Sequence, residues 1–154
     1  MIDIRIRPAL ALAVVRRRAR PGELSRVVPA GCGFVWKALG AQDVRGGRNV
    51  ALYLNDAIDL CAGVEAVAPF RADGELVAAE TPAGEVASLV HHGPYATLAA
   101  AHDAIHAWSR SSGRQLAGPR WELYDHWDAA WDAHPERIRT EVCYLLVPGS
   151  GPGR

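Results

Sequence analysis

A heptapeptide occurs twice in this chain, as GRNVALY at residues 47–53 and as GPRWELY at residues 118–124. The two copies align without gaps and share Gly, Leu and Tyr at the same spacing. Farther along, residues 58–61 (IDLC) resemble residues 140–143 (TEVC), after a longer connection in the second copy. An internal repeat of this size predicts two units that bury their faces against each other. A ligand is expected in the crevice between them.

Before the first copy, the pattern of apolar residues predicts a strand followed by a helix. The strand starts at Ile4 and ends at the arginines 16–18. The helix follows Pro21-Gly22, and Pro29 suits the first position of its main part, where no amide hydrogen is needed. Its apolar face is predicted to hold Phe34, Val35, Ala38 and Leu39.

Two strands complete the first unit, and a turn-rich link follows them. The strands are predicted at Asn49–Leu54 and Ile58–Val67, joined by a tight turn at Asn55-Asp56. The link, residues 71–82, is rich in charge and turn formers and contains one short predicted strand at Glu75–Ala79.

The second unit repeats the order strand, helix, strand, strand, and its elements are predicted at Val86–His91, Tyr95–Ser112, Trp121–Trp127 and Ile138–Val147. Gly113 follows the helix, where a left-handed residue would end it. We therefore expect one α+β domain over residues 1–148. The domain comprises repeat one at about 4–67 and repeat two at about 76–147. A disordered tail is expected after it, at 149–154.

Composition and charge argue against several classes of partner. The 17 basic residues balance 17 acidic ones and are scattered along the chain, so nucleic acid and membrane surfaces are not expected partners. The N-terminus is interrupted by Pro8 and lacks the apolar core of a signal peptide. Lys37 is the one lysine, a bias typical of a GC-rich bacterial genome. We expect a cytoplasmic bacterial protein.

The sequence gives no support for a metal or a cofactor. Cys32, Cys61 and Cys143 lie in apolar stretches without CxxC spacing, which indicates reduced, buried thiols. His102 and His106 are four residues apart on a helix, but neither an HExxH acid nor a third ligand accompanies them. Motifs for triad hydrolysis, nucleotide hydrolysis and dinucleotide binding are absent.

Three stretches carry a resemblance to a known family. HHGPY at residues 91–95 leads into an amphipathic helix, GPRWELY follows it, and RTEVCYLLV covers residues 139–147. With these stretches the chain resembles the GyrI-like small-molecule-binding family over nearly its whole length, most strongly from Ala83 to Val147. That family includes gyrase-inhibitory proteins and the effector-binding domains of BmrR-like and Rob-like transcription regulators.

The resemblance implies two pseudo-symmetric strand-helix-strand-strand units with antiparallel sheets around a central cleft for bulky, often cationic, aromatic molecules. Regulators carry a DNA-binding region ahead of this domain, whereas here the first strand begins close to Met1, so we expect a stand-alone member. Two roles stay open: multidrug binding and sequestration, or hydrolysis of cyclopropane-bearing genotoxic natural products. Inhibition of a topoisomerase is a third interpretation that rests only on the family's name-giving members. A homodimer also stays open.

Two glutamates are the candidate polar groups of the pocket. Alternation puts Glu122 and Tyr124 on one face of their strand, and Glu141 and Cys143 on one face of the last strand. A carboxylate among apolar neighbours is costly unless its face meets a partner. The first repeat has Ala51 where the second has Glu122, so the shared local structure does not need this acid.

The resemblance implies ligand-facing acids at the RTEV and WELY positions, which match Glu141 and Glu122. Asp59, the repeat equivalent of Glu141, is the weaker candidate. Such an acid would attract a cation beside aromatic rings. Buried without a partner, it would instead have a raised pKa and act as a general base on water, with Tyr53 or Tyr124 as the donor. The sequence does not separate these two uses.

Aromatic residues are the natural walls of such a pocket. The repeat places Tyr53 and Tyr124 symmetrically, and Trp127 with Trp131 lies in a long connection that could close over a ligand. Spacing predicts that Trp36 and Trp108 pack a helix onto the sheet. The predicted ligand-binding set is Glu141, Glu122, Tyr53, Tyr124, Trp127, Trp131, Tyr95 and His91. If the protein is a hydrolase, the predicted catalytic residues are Glu141, Glu122 and Tyr124.

Overall fold

A computed structural model describes residues 1–55 and 59–149. Within these ranges the chain forms eight strands and two long helices. Their bounds are β1 Asp3–Arg7, β2 Ala11–Arg18, α1 Leu24–Ala41, β3 Gly46–Tyr53, β4 Asp59–Ala66, β5 Val77–Glu80, β6 Gly84–His92, α2 Ala99–Ser112, β7 Leu116–Tyr124 and β8 Arg139–Leu146. Short 3-10 turns precede both helices and lie between β7 and β8, at Pro21–Glu23, Tyr95–Thr97, Ala129–Asp132 and Pro135–Arg137.

The eight strands form a single antiparallel sheet in the order β1-β6-β8-β7-β3-β4-β2-β5. Each unit contributes β2-α1-β3-β4 or β6-α2-β7-β8, so the predicted α+β fold of two pseudo-symmetric units is confirmed. The two heptapeptide copies are β3 and β7, which pair at the centre of the sheet. The short strand that precedes each unit pairs with the other unit: β1 precedes the first unit and pairs with β6, and β5 precedes the second unit and pairs with β2.

The first predicted strand is in fact two strands, which corrects our expectation of a continuous one. The chain leaves β1 at Pro8 and enters β2 at Ala11, and the two strands lie at different ends of the sheet. Proline has no amide hydrogen for a ladder hydrogen bond, so it suits such a break. Thr81 holds the start of β2, because its hydroxyl accepts a 2.9 Å hydrogen bond from the Leu10 amide.

The first helix follows Pro21-Gly22 as predicted, but Pro29 lies inside it rather than at the first position of its main part. The turn at Pro21–Glu23 precedes the helix, and the Glu23 carboxylate accepts a 3.0 Å hydrogen bond from the Arg20 amide. The buried face of α1 consists of Val28, Gly31, Cys32, Val35 and Leu39.

The prediction that Phe34 lies on the buried face of α1 is wrong. Phe34 is 41% exposed, because it lies off the stripe on which Val35 and Leu39 are buried. Its ring instead packs under the guanidinium of Arg17 at 5.6 Å. Trp36 is 37% exposed, and its Nε1 donates a 2.6 Å hydrogen bond to Oδ1 of Asn49 on β3, so this side chain lies against the sheet as predicted.

Boundaries in the second unit also differ from the prediction. β7 ends at Tyr124 rather than Trp127, because its partner β8 begins only at Arg139. Gly113 has φ 76° and ends α2 in the left-handed conformation, as predicted. The predicted Asn55-Asp56 turn and 149–154 tail lie outside the described residues, apart from Asn55 and Gly149.

Both helices pack on the same face of the sheet, α1 against β2, β3 and β4 and α2 against β6 and β8. The opposite face carries an apolar cluster of Leu12, Val14, Val50, Leu52, Cys61, Val86, Trp121, Leu123 and Cys143. In the described ranges, neither helix has the length and apolar character needed to cross a membrane.

Candidate functional site

A cavity of about 880 Å³ lies between the two helices, over the central strands β3 and β7. This volume lies within the range of small-molecule sites in proteins. The α1 side of the cavity is lined by Leu24, Ser25, Val28, Pro29 and Cys32, and the α2 side by Leu98, Ala99, His102 and His106. Its floor is formed by Asn49, Tyr53, Leu116, Gly118, Arg120, Glu122, Tyr124 and Tyr144.

The central strand pair explains why the floor is aromatic and polar. Tyr53 is opposite Arg120, and Ala51 is opposite Glu122. Side chains two residues apart on a strand share a face, so Glu122 and Tyr124 both point toward the helices. The predicted common face of these two residues is therefore confirmed.

Glu122 is the buried acid of the cavity, with 6% of its surface exposed. Its neighbour across the strands, Ala51, has no group that can donate to a carboxylate. The Tyr124 hydroxyl donates to Oε1 at 2.9 Å, and Nε2 of His102 lies 2.9 Å from Oε2. Each carboxylate oxygen thus has a partner, and both partners line the same cavity.

A chain of hydrogen-bonding groups leads from Glu122 toward the protein surface. Nδ1 of His102 lies 2.6 Å from the hydroxyl of Tyr144, which lies 3.3 Å from Nε2 of His106. Tyr144 is buried, whereas His106 is exposed. Both imidazole rings meet the Tyr144 ring edge to face. The two histidines therefore connect the buried acid to solvent through one tyrosine.

The tyrosines beside Glu122 stay protonated at neutral pH. Burial, and then the negative charge of Glu122, raise the pKa of Tyr124 well above its ordinary value. The same two causes raise the pKa of Tyr53. Both hydroxyls therefore keep their protons, and that of Tyr124 is donated to Glu122.

The cavity also contains a positively charged side chain, Arg120, and a thiol, Cys32. The guanidinium of Arg120 lies over the ring of Tyr53, 4.7 Å from its centroid, which is within the range of a cation–π contact. Burial raises the pKa of Cys32 to about 11, so this thiol is uncharged at neutral pH. Tyr95, 45% exposed, lines the cavity and meets Tyr124 edge to face at 5.7 Å.

Half of the predicted ligand-binding set lines this cavity, namely Glu122, Tyr53, Tyr124 and Tyr95. Glu141 does not, which corrects the expectation that both glutamates share one pocket. It lies on the opposite face of the sheet, in a second pocket of about 610 Å³ beside β1. There it accepts a 3.0 Å hydrogen bond from Nη2 of Arg7, which also donates to the hydroxyl of Ser88.

The remaining predicted residues do not line the cavity either. Trp127 and Trp131 contact each other edge to face at 5.4 Å, and Trp127 is 54% exposed. Nε2 of His91 lies 3.1 Å from the hydroxyl of Thr97, in the 3-10 turn that precedes α2. Asp59, the weaker candidate, forms an exposed ion pair with Arg18.

Sequence reasoning missed the contribution of His102, His106 and Arg120. The four-residue spacing of the two histidines on their helix raised only the question of a metal site. Arg120 shares a face with Glu122 by simple alternation, so the sequence contained a signal for it. In the described part of the chain, no three His, Cys, Asp or Glu side chains are placed to hold a metal ion.

Comparison with known families identifies most of this chain. Residues 2–146 match the model of the GyrI-like small molecule binding domain. No curated protein matches the sequence significantly.

Solved structures of similar proteins share this fold at low sequence identity. The EcmrR C-terminal domain has a TM-score of 0.73 and 18% identity, with 96% of this chain and 97% of that one covered. SAV2435 bound to tetraphenylphosphonium has a TM-score of 0.64 and 13% identity, with 96% and 94% covered. A protein described as a hydrolase from Listeria innocua has a TM-score of 0.59 and 12% identity, with 95% and 91% covered.

Proposed function

Because the chain belongs to the family of GyrI-like small-molecule-binding domains, we propose that its cavity binds bulky, hydrophobic aromatic molecules and prefers lipophilic cations. The observation that carries this proposal is the buried carboxylate of Glu122 on the floor of an aromatic-walled cavity. Its close partners are the Tyr124 hydroxyl and the His102 ring. A cationic ligand in the cavity would be attracted to this carboxylate.

The aromatic side chains that line the cavity account for the energetics of this binding. Burial of an aromatic ligand in such a cavity is driven by the hydrophobic effect, and each good contact of a cation with an aromatic ring adds about 0.5–2 kcal/mol. Tyr53, Tyr95 and Tyr124 offer such rings around Glu122. Aromatic walls do not demand one ligand shape, so we expect several ligands to bind. SAV2435, which has this fold, is known with tetraphenylphosphonium bound.

The test is a calorimetric titration of the protein with tetraphenylphosphonium. We expect binding in the micromolar range, about 8 kcal/mol, and a loss of about tenfold in affinity for the Glu122→Gln variant, which keeps the size of the side chain. Glu141→Gln is the matched control, because this glutamate lies on the other face of the sheet. Absence of binding to the wild-type protein, or equal affinity of Glu122→Gln and wild type, would refute the proposal.

A second candidate function is hydrolysis in the same cavity, and the contacts of Glu122 favour it. This carboxylate has a histidine on one oxygen and a protonated tyrosine on the other, so a base and a donor adjoin one buried space. Glu122 would take a proton from water as the water attacks a strained cyclopropane ring, and Tyr124 would donate to the negative charge that develops on the conjugated system.

Mass spectrometry distinguishes these two functions. Incubation with a cyclopropane-bearing compound of the duocarmycin type would yield a product heavier by one water if the protein is a hydrolase, and Glu122→Gln would abolish the gain. Binding with an unchanged ligand mass would leave sequestration as the function.

We further propose a cytoplasmic location, because the cysteines of the described residues are buried and unpaired, as is usual in a reducing compartment.

A further inference from the structure

We propose that the outer edge of β1 is a docking surface for a second copy of this chain. The two copies of β1 would pair antiparallel about a two-fold axis at Ile4, so that two protomers share one continuous sheet. The surface is separate from the cavity, because β6 and β8 lie between β1 and the central strands. The inference therefore does not depend on the proposed function.

β1 ends the sheet and has one side without a partner strand in the described part of the chain. It pairs with β6 on its inner side, and among the described strands none pairs with its outer side. Half of the backbone N–H and C=O groups of such a strand point outward, where they can pair with a strand from another molecule. The helix nearest to this edge, α2, packs on β6 and β8.

The apolar side chains of β1 are exposed at this edge. Ile4 is 40% exposed and Ile6 is 85% exposed. Strand alternation puts both on the face that carries α2, where Ile2 packs against the apolar cluster beneath that helix. Exposed β-branched side chains on an edge strand favour the addition of another strand.

The other face of β1 carries charges of both signs. Asp3 and Arg5 form an exposed ion pair at 2.7 Å within one chain. In antiparallel pairing of a strand with its own copy, only residues of equal parity can face each other, because alternate residues direct their backbone groups outward. With the axis at Ile4, Asp3 faces Arg5 of the partner subunit, and the two pairs form one alternating set of four charges.

The same register also matches the apolar face. Ile4 faces its own copy, and Ile2 faces the partner's Ile6. The isoleucines then cover one another on the face that carries α2, and the charges neutralise one another on the opposite face. Both faces of the strand are therefore complementary to themselves in one register.

The other registers centred on a residue of β1 place like charges opposite each other. An axis at Asp3 makes two carboxylates face each other, and an axis at Arg5 does the same for two guanidinium groups. An axis at Ile6 puts Arg5 opposite Arg7, and an axis at Arg7 puts that residue opposite itself. Like charges directly opposite on paired strands are destabilising, so the charges select the axis at Ile4.

The ends of the strand limit the assembly to two copies. Pro8 follows β1 and has no amide hydrogen, so the paired stretch stops there. A two-fold contact uses the same edge of both protomers and leaves no second copy of that edge for a further chain. We therefore expect a dimer and no larger species.

Sedimentation velocity tests the interface through its charges. At about 100 µM, a concentration suited to a small interface, the protein should sediment with twice the mass of the 16.6 kDa chain. Asp3→Arg and Arg5→Asp each put like charges opposite and should weaken the dimer at least about tenfold. The double variant that carries both changes exchanges the charges and should restore the dimer.

The matched control is Arg18→Asp. Arg18 is as exposed as Arg5 and also pairs with an aspartate, Asp59 at 3.1 Å, but it lies on β2. This variant should dimerise like the wild type. A wild-type protein that stays monomeric at this concentration overturns the inference, as does a dimer that survives both Asp3→Arg and Arg5→Asp.

Crosslinking tests the register without changing a charge. Facing Cα atoms of antiparallel strands lie about 4.5–5.5 Å apart, a separation that a disulfide spans, so Ile4→Cys should form a covalent dimer on mild oxidation. Ile6→Cys is the control, because position 6 is more exposed but faces position 2. The three native cysteines are buried, and thermal unfolding checks that both variants are folded. Absence of crosslinking in Ile4→Cys, or equal crosslinking of the two variants, would overturn the inference.

Discussion

Glu122 and Glu141 lie on neighbouring strands of the sheet but face opposite sides of it. The register pairs Glu122 with Val142 and Leu123 with Glu141, and a shift of one residue changes the face to which a side chain points. Glu122 thereby enters the cavity beneath α2, whereas Glu141 meets Arg7 of β1. One carboxylate lines the cavity, and the other bonds Arg7 of the first strand.

The pair of Arg7 and Glu141 should contribute to stability rather than to binding. Both side chains are mostly buried, so Glu141→Gln leaves a partly desolvated guanidinium without its countercharge. We expect the free energy of unfolding in urea to fall by about 1–2 kcal/mol. Glu75→Gln, which breaks an exposed pair with Arg17, is the control and should cost less than about 0.5 kcal/mol. Equal stabilities of the two variants would contradict this prediction.

Two glycines of α1 should respond in opposite ways to alanine. A Cβ at Gly31 would lie 2.8 Å from the Cβ of Ala62 on β4, whereas a Cβ at Gly33 would meet nothing within 4 Å. We expect Gly31→Ala to destabilise the protein by about 1–3 kcal/mol through overpacking. Gly33→Ala should stabilise it by up to about 1 kcal/mol through higher helix propensity. Thermal unfolding of both variants measures the difference, and a stabilised Gly31→Ala would show that α1 is not held this closely.

Alkylation of the cysteines should reveal whether the ligand occupies the cavity. Burial raises the pKa of Cys32 to about 11 and that of Cys143 to about 12, so neither thiol should react with iodoacetamide near neutral pH. At about pH 9.5, tetraphenylphosphonium should slow the labelling of Cys32, which lines the cavity, more than that of Cys143. Peptide mass spectrometry follows both sites. If the ligand slows the labelling of Cys32 and Cys143 equally, it either stabilises the whole protein or binds outside the cavity.

The buried tyrosines should make the protein sensitive to alkali. The pKa values of Tyr53 and Tyr124 are raised in the folded state, so their contribution to stability is complete below the unfolded pKa of about 10 and is lost as pH rises above it. Cys32 and Cys143 act in the same direction from about pH 9 upward. We expect a falling urea midpoint above pH 9, with a shallower fall in Tyr124→Phe. An identical pH profile for Tyr124→Phe would contradict the contribution of this tyrosine.

Much of the fold followed from patterns that are local in the chain. The repeated heptapeptide predicted the two units, and its copies proved to be the central strands β3 and β7. Period-two alternation correctly put Glu122 and Tyr124 on one face, because successive side chains on a strand point to opposite sides. Helical periodicity located both helices, although it misplaced Phe34 and the position of Pro29 within α1.

The parts that could not be predicted depend on which elements meet. Nothing local to Ile4 and Ile6 shows that their strand pairs with β6 at the far end of the sheet. The contact of His102 with Glu122 likewise joins a helix and a strand 20 residues apart. Family resemblance assigned Glu141 and Glu122 to one ligand, and only the register of β7 against β8 separates them.

The sequence sufficed to predict the repeat, the order of the elements and the set of side chains available to a pocket. Tertiary structure decided that Tyr53, Tyr124, Glu122 and His102 share one cavity and that Glu141 is excluded from it. The physical reason is that alternation defines only the two sides of a strand. Which side faces a helix depends on strand register and on the packing of the apolar faces, and these are properties of the whole sheet.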